Sequence, residues 1–248
     1  MRVPSGTGGA ARRAFVAGEG AQEAPPWVHA PALAPTERGE RTRRRIVEAA
    51  EGLFRTASSY EKIGVADIAR AAHTSVGTIY RYFESKEDLL HLVLSNAFWR
   101  MYKASRGIWR AEDSAAVNFE RTTRAYLEAF FEERAFLRLA LQLVSSSDSV
   151  RTTWWSMRRE LRDRMRKRLE QDLALGDGPP LDPEIAIRAL LGMVNAYAAQ
   201  AFIDEEYGPA SKDDIEEVAP VLAQIWYRAV TGGGAGGEVE GRRVDAPR

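Results

Sequence analysis

VADIARAAHTSVGTIYRYFESKEDL, residues 65–89, is the stretch whose reading decides the fold. Val65 to Ala71 reads as a short helix with Ile68, Ala69 and Ala72 on one face. His73 and Thr74 come next, then Ser75, a residue whose hydroxyl accepts from the free N–H groups that open a helix. Val76, Ile79, Tyr80 and Phe83 stand at i, i+3, i+4 and i+7, which is helical spacing. Ser85 caps a further helix, with Asp88 three residues on as the acid of a capping box. Two short helices joined by a tight turn, the second one capped, make a helix-turn-helix pattern.

Upstream, Ile46, Ala49, Ala50, Leu53 and Phe54 form the apolar stripe of a first helix, preceded by a basic cluster of Arg38, Arg41, Arg43, Arg44 and Arg45. A charge run is usually a solvated face, but one placed directly before a helix-turn-helix fits contact with phosphates better. Residues 1–36 are rich in Gly, Ala and Pro without a sustained period, and read as a disordered arm carrying Arg12, Arg13 and Trp27. Downstream, the helix from Ser85 to about Lys103 has a broad apolar side of Leu89, Leu90, Leu92, Val93, Ala97, Phe98 and Met101. It starts beside the helix-turn-helix and ends in the C-terminal region, so it can carry a displacement between the two. The lone His91 on it reads as structural.

Every strong period beyond Gly107 is helical. The spacing predicts one helix over Phe119–Glu132, a second over Ala135–Val144, and a long amphipathic one over Val150–Leu175. The stripe of this last helix is Trp154, Met157, Leu161, Met165, Leu169 and Leu173. Its opposite face, Arg158, Arg159, Arg162, Arg166, Lys167 and Arg168 with Glu160, Asp163 and Glu170 interleaved, reads as solvated. GDGPPLDP, 176–183, is a loop, and Asp182 caps a helix with Pro183 in its first turn. That helix, to about Ile203, is apolar nearly all round except at Asn195, which needs a partner if buried. Ile185–Ile203 is long enough to cross a bilayer, but Arg188, Asn195 and Gln200 would be costly in lipid, so a buried bundle helix is the better reading. Ser211 caps a last helix with Ile215, Val218, Leu222, Ile225, Trp226 and Ala229 inward, and residues 232–248 are a Gly-rich flexible tail. The expected fold class is all-α.

Composition sets outer limits. The 248 residues hold 45% hydrophobic and 28% charged residues, as a soluble globular chain does, and no cysteine, which excludes disulfides and thiolate zinc sites. The formal net charge is +0, so any basic signal is local. No signal-peptide core opens the chain. His29, His73 and His91 are isolated, the glycines at 232–237 follow no strand, and Asp204, Glu205 and Glu206 sit in a loop. Without a P-loop, an HExxH or a G-x-S-x-G elbow, the expectation is no enzyme, no metal and no cofactor.

The stretch that decides the fold also resembles the TetR/AcrR transcriptional regulators, whose pattern here runs roughly V-x-D-I-A-x-x-A-G-V-S-x-G-T-x-Y-x-Y/H-F-x-S-K-E-x-L. Val65, Asp67, Ile68, Ala69, Ala72, Ser75, Gly77, Thr78, Tyr80, Tyr82, Phe83, Ser85, Lys86, Glu87 and Leu89 match it. The resemblance is strong over residues 41–90 and only architectural beyond. The chain departs from it at His73-Thr74, where the family has Gly-Val. If His73 is left-handed it carries a steric cost that Gly does not. The loop Arg55–Gly64 is a residue longer than common, and Gly64 stands where a Ser or Thr often caps the helix and touches a phosphate.

The resemblance implies an N-terminal three-helix DNA-binding domain (37–84), followed by a ligand-binding and dimerisation bundle (85–231). It implies a cytoplasmic homodimer paired through the last two long helices on a palindromic operator in double-stranded DNA, most often as a repressor. By motif position Val76, Gly77 and Thr78 face base edges. Gly64, Ser75, Tyr80, Tyr82 and Lys86 sit toward the backbone, with Thr42 and Arg43 as phosphate donors. An effector pocket falls among the middle helices, where Phe98, Tyr102, Trp109, Tyr126, Phe130, Trp155, Asn195 and Tyr197 are candidates. The expected effector is small, apolar and uncharged, because no interior charge pattern is visible. Two alternatives stay open: a DNA-binding regulator without small-molecule gating, and a helical small-molecule-binding protein or enzyme whose N-terminal hairpin is incidental.

Overall fold

Thr36 opens the first helix, α1 (Glu37–Thr56), its hydroxyl accepting from the Gly39 N–H at 3.1 Å. The basic cluster therefore lies inside this helix rather than ahead of it, as suits arginine's high helix propensity. The computed structural model describes residues 36–104, 108–110, 112–173, 182–206, 208 and 210–231, and over these the chain is all-α. The arm over residues 1–35 and the tail over 232–248 lie outside the described residues, as does most of the 176–183 loop. Ile46, Ala50 and Phe54 of α1 are fully buried, and a 3-10 turn, Tyr60–Lys62, stacks Tyr60 on Phe54 at 6.1 Å.

Helices α2 (Val65–Ala71) and α3 (Val76–Tyr82) come next, then α4 (Lys86–Ala104). Ile68, Ala72, Ile79 and Phe83 join Ile46, Phe54, Leu89 and Leu90 in one core. The α2–α3 turn is a Schellman motif. Thr74 donates its N–H to the Ala69 carbonyl at 2.9 Å and His73 to that of Arg70 at 3.2 Å, with His73 left-handed at φ 48°.

The 29 residues of α5 (Ala115–Leu143) run through what the periodicity divides into two helices at Glu132–Ala135. Nothing there breaks a helix: Glu133 and Arg134 are good helix formers, and the change of apolar phase is explained by Glu133, only 5% exposed and held by an ion pair. Asn118, fully buried near the start of α5, accepts from the Arg110 N–H and donates to the carbonyls of Arg110 and Asp113, fixing the preceding loop. Helices α6 (Asp148–Leu173), α7 (Pro183–Phe202) and α8 (Asp213–Thr231) complete the bundle, with α5 packed against α4, α6, α7, α8 and α1.

Helix α7 is long and apolar enough to cross a membrane by length and composition, yet it contributes Ile187, Leu190, Leu191, Val194, Ala198, Ala201 and Phe202 to the core. Asp182 caps it, accepting from the Ile185 N–H at 2.9 Å. On α8 the inward face is Ile215, Ala219, Leu222, Ala223, Trp226 and Val230. Ile225 and Ala229, expected inward, are exposed. Apolar residues cover two sides of α8, and the neighbouring helices cover only one. Ser211 lies one residue ahead of the capping position, where it accepts from Asp213 N–H and donates its own N–H to Asp214.

Polar contacts tie the N-terminal helices to the bundle. Arg100 of α4 makes a two-pronged pair with Glu133 of α5 at 2.5 and 2.8 Å and a second pair with Glu51 of α1 at 2.8 Å. Burial works against the Arg100 charge, but the two carboxylates outweigh it and raise the pKa. Arg55 of α1 donates to the Glu132 carbonyl at 3.1 Å and lies over the Phe136 ring. At the start of α4, Glu87 accepts from Ser147 and Ser149 at 2.5 and 3.0 Å, and those hydroxyls hold its carboxyl below the usual range. His91 reaches the Thr153 hydroxyl on α6.

Candidate nucleic-acid interface and effector cavity

Ser75 caps α3 through Thr78 N–H at 3.1 Å, and its hydroxyl also bonds the Thr78 hydroxyl at 2.9 Å. With Ile79 and Phe83 turned into the core, α3 presents Ser75, Val76, Gly77, Tyr80 and Arg81 outward, and Tyr80 is 52% exposed. Thr78 and Tyr82 are half-buried at the edge of that face. Gly77 needs no unusual backbone, and an added Cβ would meet only Ser75 Oγ at 3.9 Å. Nothing within the chain asks for glycine there. Arg81 was missed by motif matching, although a cation four residues after Gly77 on one helix face was legible from spacing alone.

Gly64 precedes α2 without a side-chain cap. Its N–H instead donates to the Asp67 carboxylate at 3.0 Å, which also takes Arg70 at 3.0 Å, and both bonds hold the Asp67 pKa low. A Cβ on Gly64 would press that carboxylate at 3.1 Å. Thr42 is half-buried, its hydroxyl donating to the Arg38 carbonyl at 3.0 Å. Arg43 is turned inward: its side chain is 13% exposed, it lies 3.7 Å from Glu40, and burial lowers its pKa. Arg38, Arg41, Arg44 and Arg45 are the exposed arginines of the basic cluster, Arg41 lying 3.7 Å from Glu37. Lys86 donates to the Tyr60 and Ile63 carbonyls at 3.1 and 2.9 Å and sits 3.7 Å over the Tyr60 ring. Its ammonium thus clasps the loop before α2, where burial lowers its pKa and Glu61 partly restores it.

Within the bundle lies a cavity of about 210 Å³ between α4, α5, α6 and α7. Met101, Phe130, Leu137, Trp154, Met157, Leu161 and Leu191 form its apolar wall; Tyr126, Asn195, Arg158, Arg162 and Arg188 are its polar groups. Of the eight residues expected at an effector pocket it gathers Tyr126, Phe130 and Asn195. Phe98 packs fully buried against Trp154, Tyr102 stacks on Trp99, Trp109 lies edge-on to Phe119, Tyr197 packs half-buried against the core, and Trp155 is 59% exposed. Asn195 finds its partners inside the chain, accepting from the Tyr126 hydroxyl and donating to the Leu191 carbonyl, both at 2.7 Å. Burial pushes the Tyr126 pKa up to about 12, against the opposing pull of Arg158 and Asn195. The expectation of an interior without charge is corrected here. Arg158 and Arg162, read as part of a solvated face, border the cavity because α6 turns that side toward α7 rather than to open water.

A model of bacterial regulatory proteins of the tetR family matches residues 46–93. The chain is 26% identical over 210 residues to the HTH-type transcriptional regulator EthR of Mycolicibacterium smegmatis, covering 79% of this chain and 93% of that protein. It is similar in structure to the TetR family transcriptional regulator PfmR from Thermus thermophilus, with a TM-score of 0.59, 28% identity, and coverage of 74% of this chain and 97% of the other. A TetR-like transcriptional regulator from Rhodococcus sp. RHA1 shares the fold at 19% identity and a TM-score of 0.56, covering 77% of this chain and 96% of the other.

Proposed function

We propose that the chain is a transcriptional regulator of the bacterial TetR family rather than an enzyme, and that it works as a cytoplasmic homodimeric repressor of a palindromic operator; the tetR-family match over residues 46–93 and the likeness to EthR and PfmR support the reading. Residues 37–84 form the reading domain and 85–231 the sensing and pairing domain. Val76, Gly77 and Thr78 meet base edges in the major groove, while Gly64, Ser75, Tyr80 and Tyr82 face the backbone. The phosphate charge comes from Arg38, Arg41, Arg44 and Arg45, with Arg81 beside the recognition face. Arg43 and Lys86 serve chiefly to hold the domain in shape, Arg43 because its side chain is turned inward and Lys86 because two backbone carbonyls already take its ammonium. The observation that carries the reading is Gly77: an exposed glycine in the first turn of α3, where an added Cβ would meet only Ser75 Oγ at 3.9 Å, suits a surface that another molecule must approach closely.

A small molecule in the cavity gates the operator in this reading. Met101 of α4 lines the cavity and Lys86 at the other end of the same helix grips the loop before α2, a span of roughly 22 Å at 1.5 Å per residue. An effector that binds the DNA-incompetent arrangement better shifts α4 and with it the separation of the two recognition helices. Linkage then makes operator weaken effector binding by the same factor, about five- to 150-fold for ordinary couplings. Selection from a random duplex pool tests the DNA reading. The expected product is an inverted repeat with half-sites centred ~34–36 Å apart, and Thr78→Ala should change the base preferred at one position of each half. A selected pool without symmetry, or a Thr78→Ala protein of unchanged preference, would overturn it.

A further inference from the structure

Arg158, Arg162 and Arg188 converge on a cavity whose remaining wall is largely apolar. Arg162 has a carboxylate within reach, Glu184 at 3.6 Å. Neither Arg158 nor Arg188 has an ion pair among the described residues; Arg158 lies 5.8 Å over the Trp154 ring and Arg188 is exposed at the rim. On α7, Arg188, Leu191 and Asn195 share one stripe at i, i+3 and i+7, so the arginine end and the Tyr126–Asn195 end lie ~10 Å apart. The far end is already closed by the Tyr126–Asn195–Leu191 hydrogen bonds, leaving little for a polar ligand group to do there. A guanidinium beside apolar surface, as Arg158 is beside Trp154, loses hydration and is best compensated by a planar or tetrahedral anion taken in two-pronged fashion, and Arg188 adds a second charge at the rim.

We propose that the effector is an amphiphilic anion, with its apolar body against Phe130, Met157, Leu161 and Leu191 and a terminal carboxylate or phosphate held by Arg158 and Arg188. This rests on the gating reading and names the ligand class for that site. Arg162, tied to Glu184, borders the anion and joins α6 to the first turn of α7, so anion binding bears directly on how these helices sit. The volume of about 210 Å³ lies under the ~300–1,000 Å³ of drug-sized sites, which suits a short chain or a single ring with its charged end at the rim.

The full-length protein titrated calorimetrically with octanoate, octyl phosphate and octan-1-ol tests this. At least one anion should bind ten-fold or more tightly than the alcohol. Arg188→Gln, a change at an exposed side chain, should weaken that anion at least three-fold while leaving the alcohol's affinity unchanged. Binding by octanoate alone assigns a carboxylate end, and by octyl phosphate alone a phosphate end. Equal affinity for anion and alcohol, no binding of either anion, or an Arg188→Gln protein that binds the anion as tightly as the unaltered one would overturn the inference. Repeating the titration with operator duplex present separates the two readings. Arginine-dependent anion binding of unchanged affinity would remove gating and keep the anion site.

Discussion

His73 holds the turn between α2 and α3 in the left-handed region at φ 48°, a conformation that costs a side chain ~1–2 kcal/mol and glycine almost nothing. His73→Gly should therefore raise stability by about 1 kcal/mol, seen as a higher urea midpoint with an unchanged slope. A lower midpoint would mean that the imidazole stabilises the turn in some other way. This position was legible because the turn is local: everything that sets it lies within five residues of chain. Lys86 was not. Its carbonyl partners, Tyr60 and Ile63, stand 26 and 23 residues away, and no periodicity announces a contact across a loop. The burial of Arg43 was hidden for a related reason, since a run of arginines gives no sign of which one the helix turns inward.

Among the elements, α2, α3, α4 and α7 were legible almost to their ends, because caps and breakers mark them. Helix α5 was not, because its apolar stripe changes phase where Glu133 is buried against Arg100. Glu133 is thus the residue that both hid the helix and joins it to its neighbours. Glu133→Gln keeps the shape and removes the charge, and should cost about 1.5–3 kcal/mol, the worth of hydrogen bonds to a charged partner. Glu51→Gln should cost less, because its side chain is 21% exposed against 7% for Glu133. Denaturant unfolding of the two variants checks the order, and a reversed order would place the weight of the network on α1. The cavity was legible only in part for the same physical reason: aromatic residues announce burial, whereas which of them leave a space depends on how helices far apart in sequence come together.

At the scale of the whole molecule, the outward sides of α7 and α8 carry Ile185, 67% exposed, with Val221 and Ile225 also exposed. In the proposed dimer these sides meet their copies. Ile185→Asp combined with Val221→Asp should yield a monomer in sedimentation, with an unchanged circular dichroism spectrum and at least a ten-fold loss of operator affinity. A double variant that still sediments as a dimer would place the pairing surface elsewhere. Helix α7 itself serves three purposes on three stripes: Ile187, Leu190, Val194 and Ala198 toward the core, Arg188, Leu191 and Asn195 toward the cavity, and Ile185, Ala189 and Ala196 outward. The outward and core stripes lie on opposite sides of the helix, so substitutions at one are felt weakly at the other, whereas Leu191, one turn from Ile187, belongs to both the core and the cavity wall. Inheritance can therefore act on the outward stripe separately from the core. In the proposed reading, a duplicated gene drifts toward a new chemical signal most freely by changes at the exposed rim position 188, and away from its old partner by changes at 185, 189 and 196, in each case keeping the core of the helix.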